Sequence, residues 1–242
     1  MFRIFVSITF FTGVFIAFPA RALAQADPVL SKAEENIRQI YFSQRGNELP
    51  LYNGKQHFAY PSSIEGSPYF NSFDWMYGDI VYEHVGYKHI LMRYDLVKDE
   101  LIIVREGDDQ VYIALNTDRV SSFLLAGIPF VQAADMPSAH LPEGFFQVLV
   151  RGNLTVLVKN KCDIEEHIDG SVLSRSFLTT RKFYGIKKGV AVPVKNKNDL
   201  LGLTDNHKKE IQRFIRDNQL NFRKDPERTI AAVVNFYNQS GF

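Results

Sequence analysis

Between residues 75 and 160, apolar and polar side chains alternate in short runs, each closed by a turn signal. A period of two places successive side chains on opposite faces of a pleated strand. It predicts strands over 79–84, 87–97, 101–104, 111–115, 120–126, 128–131, 145–150 and 154–159. Val85-Gly86, Lys98-Asp99, Gly107-Asp108-Asp109 and Gly152-Asn153 read as turns, and Gly127 as a bulge or bend. A last hairpin, 183–186 with 190–194, folds about Lys188-Gly189. Short strands joined by tight turns make an antiparallel meander, not βαβ crossovers. We expect it to curve around its own core as a partial barrel, or to be covered by helices. Residues 163–180 are polar and show no clear period.

The period changes at both ends of the chain. Residues 31–42 read as a short N-terminal helix, with Ser31 as cap, Glu34 completing a capping box, and Ile37, Ile40 and Tyr41 on one face. After residue 196 two to three helices are predicted: a short one over 198–203, one capped by Thr204 or Asp205 with Ile211, Phe214 and Ile215 as its stripe, and one opened by Asp225-Pro226-Glu227. In that last helix Ile230, Val233, Val234 and Tyr237 recur at i, i+3, i+4 and i+7, so one face must dock. The expected class is α+β: a β-rich domain over 27–195 with a helical tail, 196–242, packed on it.

Residues 43–74 carry the punctuation of a loop, yet hold Tyr52, Phe58, Tyr60, Tyr69, Phe70 and Phe73. A solvated loop needs few rings, so this stretch is expected to pack across the sheet.

The first 26 residues have the layout of a secretory leader. Arg3 gives a positive start, residues 4–18 are apolar, and Ala20, Ala22, Ala24 and Ala26 follow Pro19. Cleavage is expected near Ala24 or Ala26. The apolar run is short of the roughly 20 residues a spanning helix needs, and no further transmembrane segment is expected. The expected location is therefore periplasmic or secreted. The single Cys162 can form no internal disulfide, so the core must supply stability. Sequons occur at Asn153 and Asn238.

A net charge of +1 hides an asymmetry. Residues 181–228 carry 13 Lys/Arg against 6 Asp/Glu, whereas residues 27–180 carry 13 against 21. The basic tail either attracts the acidic body or offers a surface to an anionic partner, such as lipid headgroups, an acidic glycan or another envelope protein. Nucleic acid does not suit an exported chain.

The tail, KFYGIKKGVAVPVKNKNDLLGLTDNHKKEIQRFIRDNQLNFRKDPERTIAAVVNFYN (182–238), resembles the C-terminal part of uncharacterised secreted proteins of Bacteroidetes. YNGKQHFAYPSSIEGSPYF followed by WMYGDIVYEHVGYKHILMRYDL is similar to the front half of the same group. The resemblance implies an envelope protein of a Gram-negative bacterium and carries no catalytic motif or cofactor.

Local catalytic signatures such as G-x-S-x-G, H-E-x-x-H, the P-loop and G-x-G-x-x-G are missing from the sequence. No catalytic residue and no cofactor is assigned. Two weak metal sets remain: His84 with His89 on the first hairpin, beside Tyr82 and Tyr87, and Asp163, Glu165 and His167 on one face of an extended segment. Tyr69, Phe70, Trp75 and Tyr77 form a candidate ligand-binding surface, because exposed rings stack on sugars. The leading expectation is a non-catalytic accessory or binding component of the envelope. The alternatives are a glycan- or small-ligand-binding domain using surface aromatics and, third, a hydrolase of unrecognised type.

Overall fold

The structure is a computed structural model that describes residues 49–105, 111–136, 141–170 and 172–241. The leader, the 31–42 helix and the Gly107-Asp108-Asp109 turn lie outside the described residues. All that follows belongs to the compact unit Asn47–Phe242.

The class is α+β, with twelve strands in one sheet and short C-terminal helices. The strands are β1 (Lys55–Gln56), β2 (Ile64–Glu65), β3 (Met76–Tyr82), β4 (Val85–Asp95), β5 (Glu100–Arg105) and β6 (Val111–Ala114). They continue as β7 (Val120–Leu125), β8 (Ile128–Gln132), β9 (Phe145–Val150), β10 (Leu154–Asp169), β11 (Val172–Lys187) and β12 (Val190–Val194). The order is β1-β6-β5-β4-β3-β7-β8-β9-β10-β11-β12, antiparallel throughout, and β2 pairs in parallel with β11. Three helices follow: α1 (Lys197–Gly202), α2 (Lys208–Asp217) and α3 (Pro226–Gln239).

The sheet is open, with β1 at one end and β12 at the other. This corrects the expectation of a curved sheet or partial barrel. At the β12 end the apolar face is covered by helices, so it does not need the sheet's own far edge to exclude water. Val150, Leu154, Val156, Val158, Phe183 and Val194 pack against Leu200, Ile211, Ile215, Ile230, Val233 and Tyr237. Each such burial is worth about 1.5–3 kcal/mol, whereas isolated helices as short as α2 and α3 are marginal in water. Tertiary docking holds the helices. Local chemistry sets where they start. Asn196 caps α1 in a full capping box with Asp199, and Asp225 accepts from the Arg228 amide at 3.0 Å ahead of Pro226.

Elsewhere the core is aromatic. Tyr94 on β4 meets Phe123, Phe130 and Phe145 edge-on at centroid distances of 5.3–5.9 Å, and Phe70 from the long loop joins Phe130 at 5.0 Å. The ring-rich segment therefore packs in part across the sheet, with Leu51, Tyr69 and Phe70 buried while Phe58 and Phe73 stay exposed.

Two turns and one polar stretch differ from the sequence reading. The first hairpin turns at Glu83-His84, both with positive φ, and pairs Tyr82 with Val85. Two positive φ values suit the right-handed strand twist, and this register keeps Ile80, Tyr82 and Tyr87 buried. Ala126-Gly127 is a two-residue turn with positive φ at both positions, where a bulge or bend between two strands is expected from the sequence. Of the stretch 163–180, without a clear period in the sequence, residues 163–169 and 172–180 form the outer half of a sixteen-residue hairpin arm made by β10 and β11. Among the described residues, no helix is long and apolar enough to cross a membrane.

Candidate functional site

A concavity of about 1130 Å³ opens where β12 leaves β11. The last β11–β12 pair is Phe183 with Val194. Asn196 then caps α1 and draws the chain away. On that edge of β11 the next neighbour is β2, at Arg175 and Ser176, so residues 177–182 have no strand partner there among the described residues. The groove wraps the sheet edge: buried Phe183 and Val194 line it on the helix-covered face, and buried Ala191 with Tyr184 and Pro193 on the other. The link between α2 and α3 contributes Phe222 and Arg223 to its lining.

Five cations line the groove: Arg181, Lys182, Lys195, Lys197 and Arg223, all exposed. Neither Asp nor Glu lines it among the described residues. Arg181 is positioned. Its Nε donates to Asn160 Oδ1 at 3.0 Å, Asn160 Nδ2 donates to Gln147 Oε1 at 3.1 Å, and its Nη1 pairs with Glu227. The other four cations have no ion pair among the described residues. Lys187 is the contrast: its Nζ donates to Leu203 O and Tyr237 Oη at 2.8 Å each and pairs with Asp205. Burial pulls the Lys187 ammonium down, but the bonds to Asp205 and Tyr237 outweigh it and raise its pKa overall.

Among the described residues, every ion pair of residues 181–228 joins partners within that segment: Arg181–Glu227, Lys187–Asp205, Arg213–Asp217 and Arg216–Asp217. None reaches the acidic body among the described residues. The tail's positive excess therefore faces solvent and the groove.

A second cleft of about 600 Å³ gathers Asp99, Asp118 and Glu143. Asp99 is fully engaged there. Tyr94 Oη donates to one oxygen, and Lys159 Nζ (2.7 Å) and the Phe145 amide (3.3 Å) donate to the other. Burial, first, and then Asp99 push the Tyr94 phenol well above its ordinary value. This is a tied node that links β4, β9 and β10, with no lone carboxylate poised as a base at Asp99.

The residues singled out in the sequence lie elsewhere. Tyr69 and Phe70 are buried. Trp75 is half-buried, stacked on Tyr112 at 5.0 Å, with the Arg93 guanidinium 4.2 Å above its ring. Tyr77 is exposed and stacks on His89 at 4.0 Å. The turn at Glu83-His84 breaks the expected face of Tyr82, His84, Tyr87 and His89: both tyrosines are buried, and both histidines are exposed. His84 sits in the turn, and His89 sits at a bulge, its amide held by Asp79 at 3.1 Å. Glu83 pairs with Arg119. Asp163, Glu165 and His167 do fall on one face of β10, all exposed, with Asp163 paired to Lys161 at 2.6 Å. Among the described residues no group of three or more His, Cys, Asp or Glu is placed to hold a metal ion.

The sequence reading missed the groove as a place, although its basic residues were counted. Charge excess is legible in a sequence; the placing of those charges along one groove by β11, the β12–α1 turn and the α2–α3 link is not. Comparison with known proteins finds no matching family model, no matching curated protein and no matching solved structure.

Proposed function

We propose that the chain is an exported cell-envelope protein that acts by binding, not by catalysis, and that the cationic groove is its binding site for an anionic partner. One observation carries this reading: five cations and no carboxylate line a concavity of about 1130 Å³, and four of those cations have no ion pair among the described residues. Clefts lined by one sign of charge focus the field and raise the local concentration of the opposite sign. Export is supported by the charged start, apolar middle and Ala-x-Ala end of the leader. The resemblance to secreted Bacteroidetes proteins supports the same compartment.

The test is a titration of the mature protein with pyrophosphate and a polyanion, from about 0.01 M to about 0.15 M salt. Saturable binding that weakens with salt is expected, falling at least about tenfold in Lys182→Glu/Arg223→Glu. Equal binding by wild type and variant would remove the groove from the reading. Export is checked separately by the N-terminal sequence of protein recovered outside the cytoplasm, expected to begin near Gln25 or Asp27.

A further inference from the structure

We propose that the groove's ligand is an acidic polysaccharide, a run of sugar rings bearing carboxylate or sulfate groups. This rests on the reading of the groove as an anion site and goes beyond it in three respects.

The first is size. Pockets for single small molecules span about 300–1,000 Å³, and this groove, at about 1130 Å³, is an open trough above that range. It also shares Lys182, Tyr184 and Pro142 with an adjoining cleft of about 310 Å³, which Lys159 and Lys161 line together with the carboxylates of Asp99 and Glu143. One phosphate would leave most of this space unused.

The second is the spread of charge. Arg181 and Lys182 lie on β11, Lys195 and Lys197 flank the start of α1, and Arg223 lies on the α2–α3 link. Cations on three separate elements suit charges repeated along a chain. A single anion is better held by donors that converge on one point.

The third is the walls. Tyr184 and Phe222 line the groove with Pro142, Pro193 and Pro226. Flat apolar rings pack on the C–H faces of sugars, while the cations take the acidic groups. Tyr184 is fixed edge-on to Phe146 at 5.6 Å, which presents a pre-set ring to a ligand.

Titration of the mature protein with an oligogalacturonate hexamer, a heparin hexasaccharide, neutral maltohexaose, pyrophosphate and phosphatidylglycerol vesicles tests this. At least one acidic hexamer is expected to bind about tenfold or more tighter than maltohexaose and pyrophosphate, with affinity rising from dimer to hexamer. Tyr184→Leu and Phe222→Leu keep apolar packing but lose the flat ring. Each is expected to weaken the hexamer at least about fivefold and leave pyrophosphate unchanged, and thermal melting of each variant confirms folding. If pyrophosphate binds as tightly as the hexamers, or only vesicles bind, the glycan assignment fails while the anion groove stands. If no anion binds and Lys182→Glu/Arg223→Glu changes nothing, both readings fail together.

Discussion

The Asn238 carboxamide makes two hydrogen bonds to the backbone of Leu154, its Oδ1 accepting from the Leu154 amide and its Nδ2 donating to the Leu154 carbonyl, each at 2.9 Å. A side chain near the end of α3 thus pairs with the first residue of β10 as a neighbouring strand would. Gly152 makes room for it, since a Cβ there would lie 2.3 Å from Asn238 Nδ2. Asn238→Ala leaves both Leu154 groups unpaired beside a buried side chain, and the expected loss is about 2–4 kcal/mol in urea unfolding. Asn238→Asp retains the acceptor and loses the donor, so it should also destabilise. A change below about 0.5 kcal/mol for Ala would show that water replaces the amide without cost.

Lys159 is the most connected cation of the body. It reaches Asp99 at 2.7 Å and the carbonyls of Glu143 and Phe145 at 3.0 and 3.2 Å, with only 13% of its side chain exposed. Lys159→Met should cost about 2–3 kcal/mol, because the charge of Asp99 loses its counterion in a partly dry site. Asp99→Asn added to it should recover part of that loss. Strict additivity in the double-mutant cycle would argue against the coupling.

His57 is buried and hydrogen-bonds Tyr69 Oη at 3.3 Å. Burial lowers its pKa, nearby Lys98 and Arg93 lower it further, and Asp95 opposes them in part. Below the ordinary histidine value of about 6.5, the unfolded chain takes up a proton that the folded chain refuses. Stability is therefore complete above that pH and falls as acidification proceeds from about 6.5 toward the depressed folded value. Denaturation midpoints measured across pH 5–8 should show a slope that flattens in His57→Gln. An unchanged slope in the variant would assign the effect to other groups.

Cys162 is buried on β10, and its amide donates to Leu96 O at 3.0 Å. Burial raises the thiol pKa, and Asp163 and Asp95 add to it against a bond from Thr179. The thiolate is the reactive form. A thiol-specific chromogenic reagent should find no reactive group in the native protein and one per chain in denaturant. Rapid native labelling would place the thiol at the surface.

What the sequence determined by itself was local. Asp225-Pro226 and the i, i+3, i+4, i+7 spacing of Ile230, Val233, Val234 and Tyr237 placed α3 and its buried face, because caps and helical period act within a few residues. Lys188-Gly189, both with positive φ, located the last hairpin for the same reason. What was decided only in three dimensions depends on which residues meet. The first turn fell at Glu83-His84, not Val85-Gly86, because register follows burial of Ile80, Tyr82 and Tyr87 against the sheet. In the polar run 163–180, residues 163–169 and 172–180 became strand because each half of the arm pairs with the other, a partnership invisible to periodicity when both faces are solvated. The basic excess of residues 181–228 was countable from the start. Its arrangement into a groove, with Arg181 braced by Asn160 and Glu227 while Lys182, Lys195, Lys197 and Arg223 stay unpaired among the described residues, came from the departure of β12 and the docking of the helices.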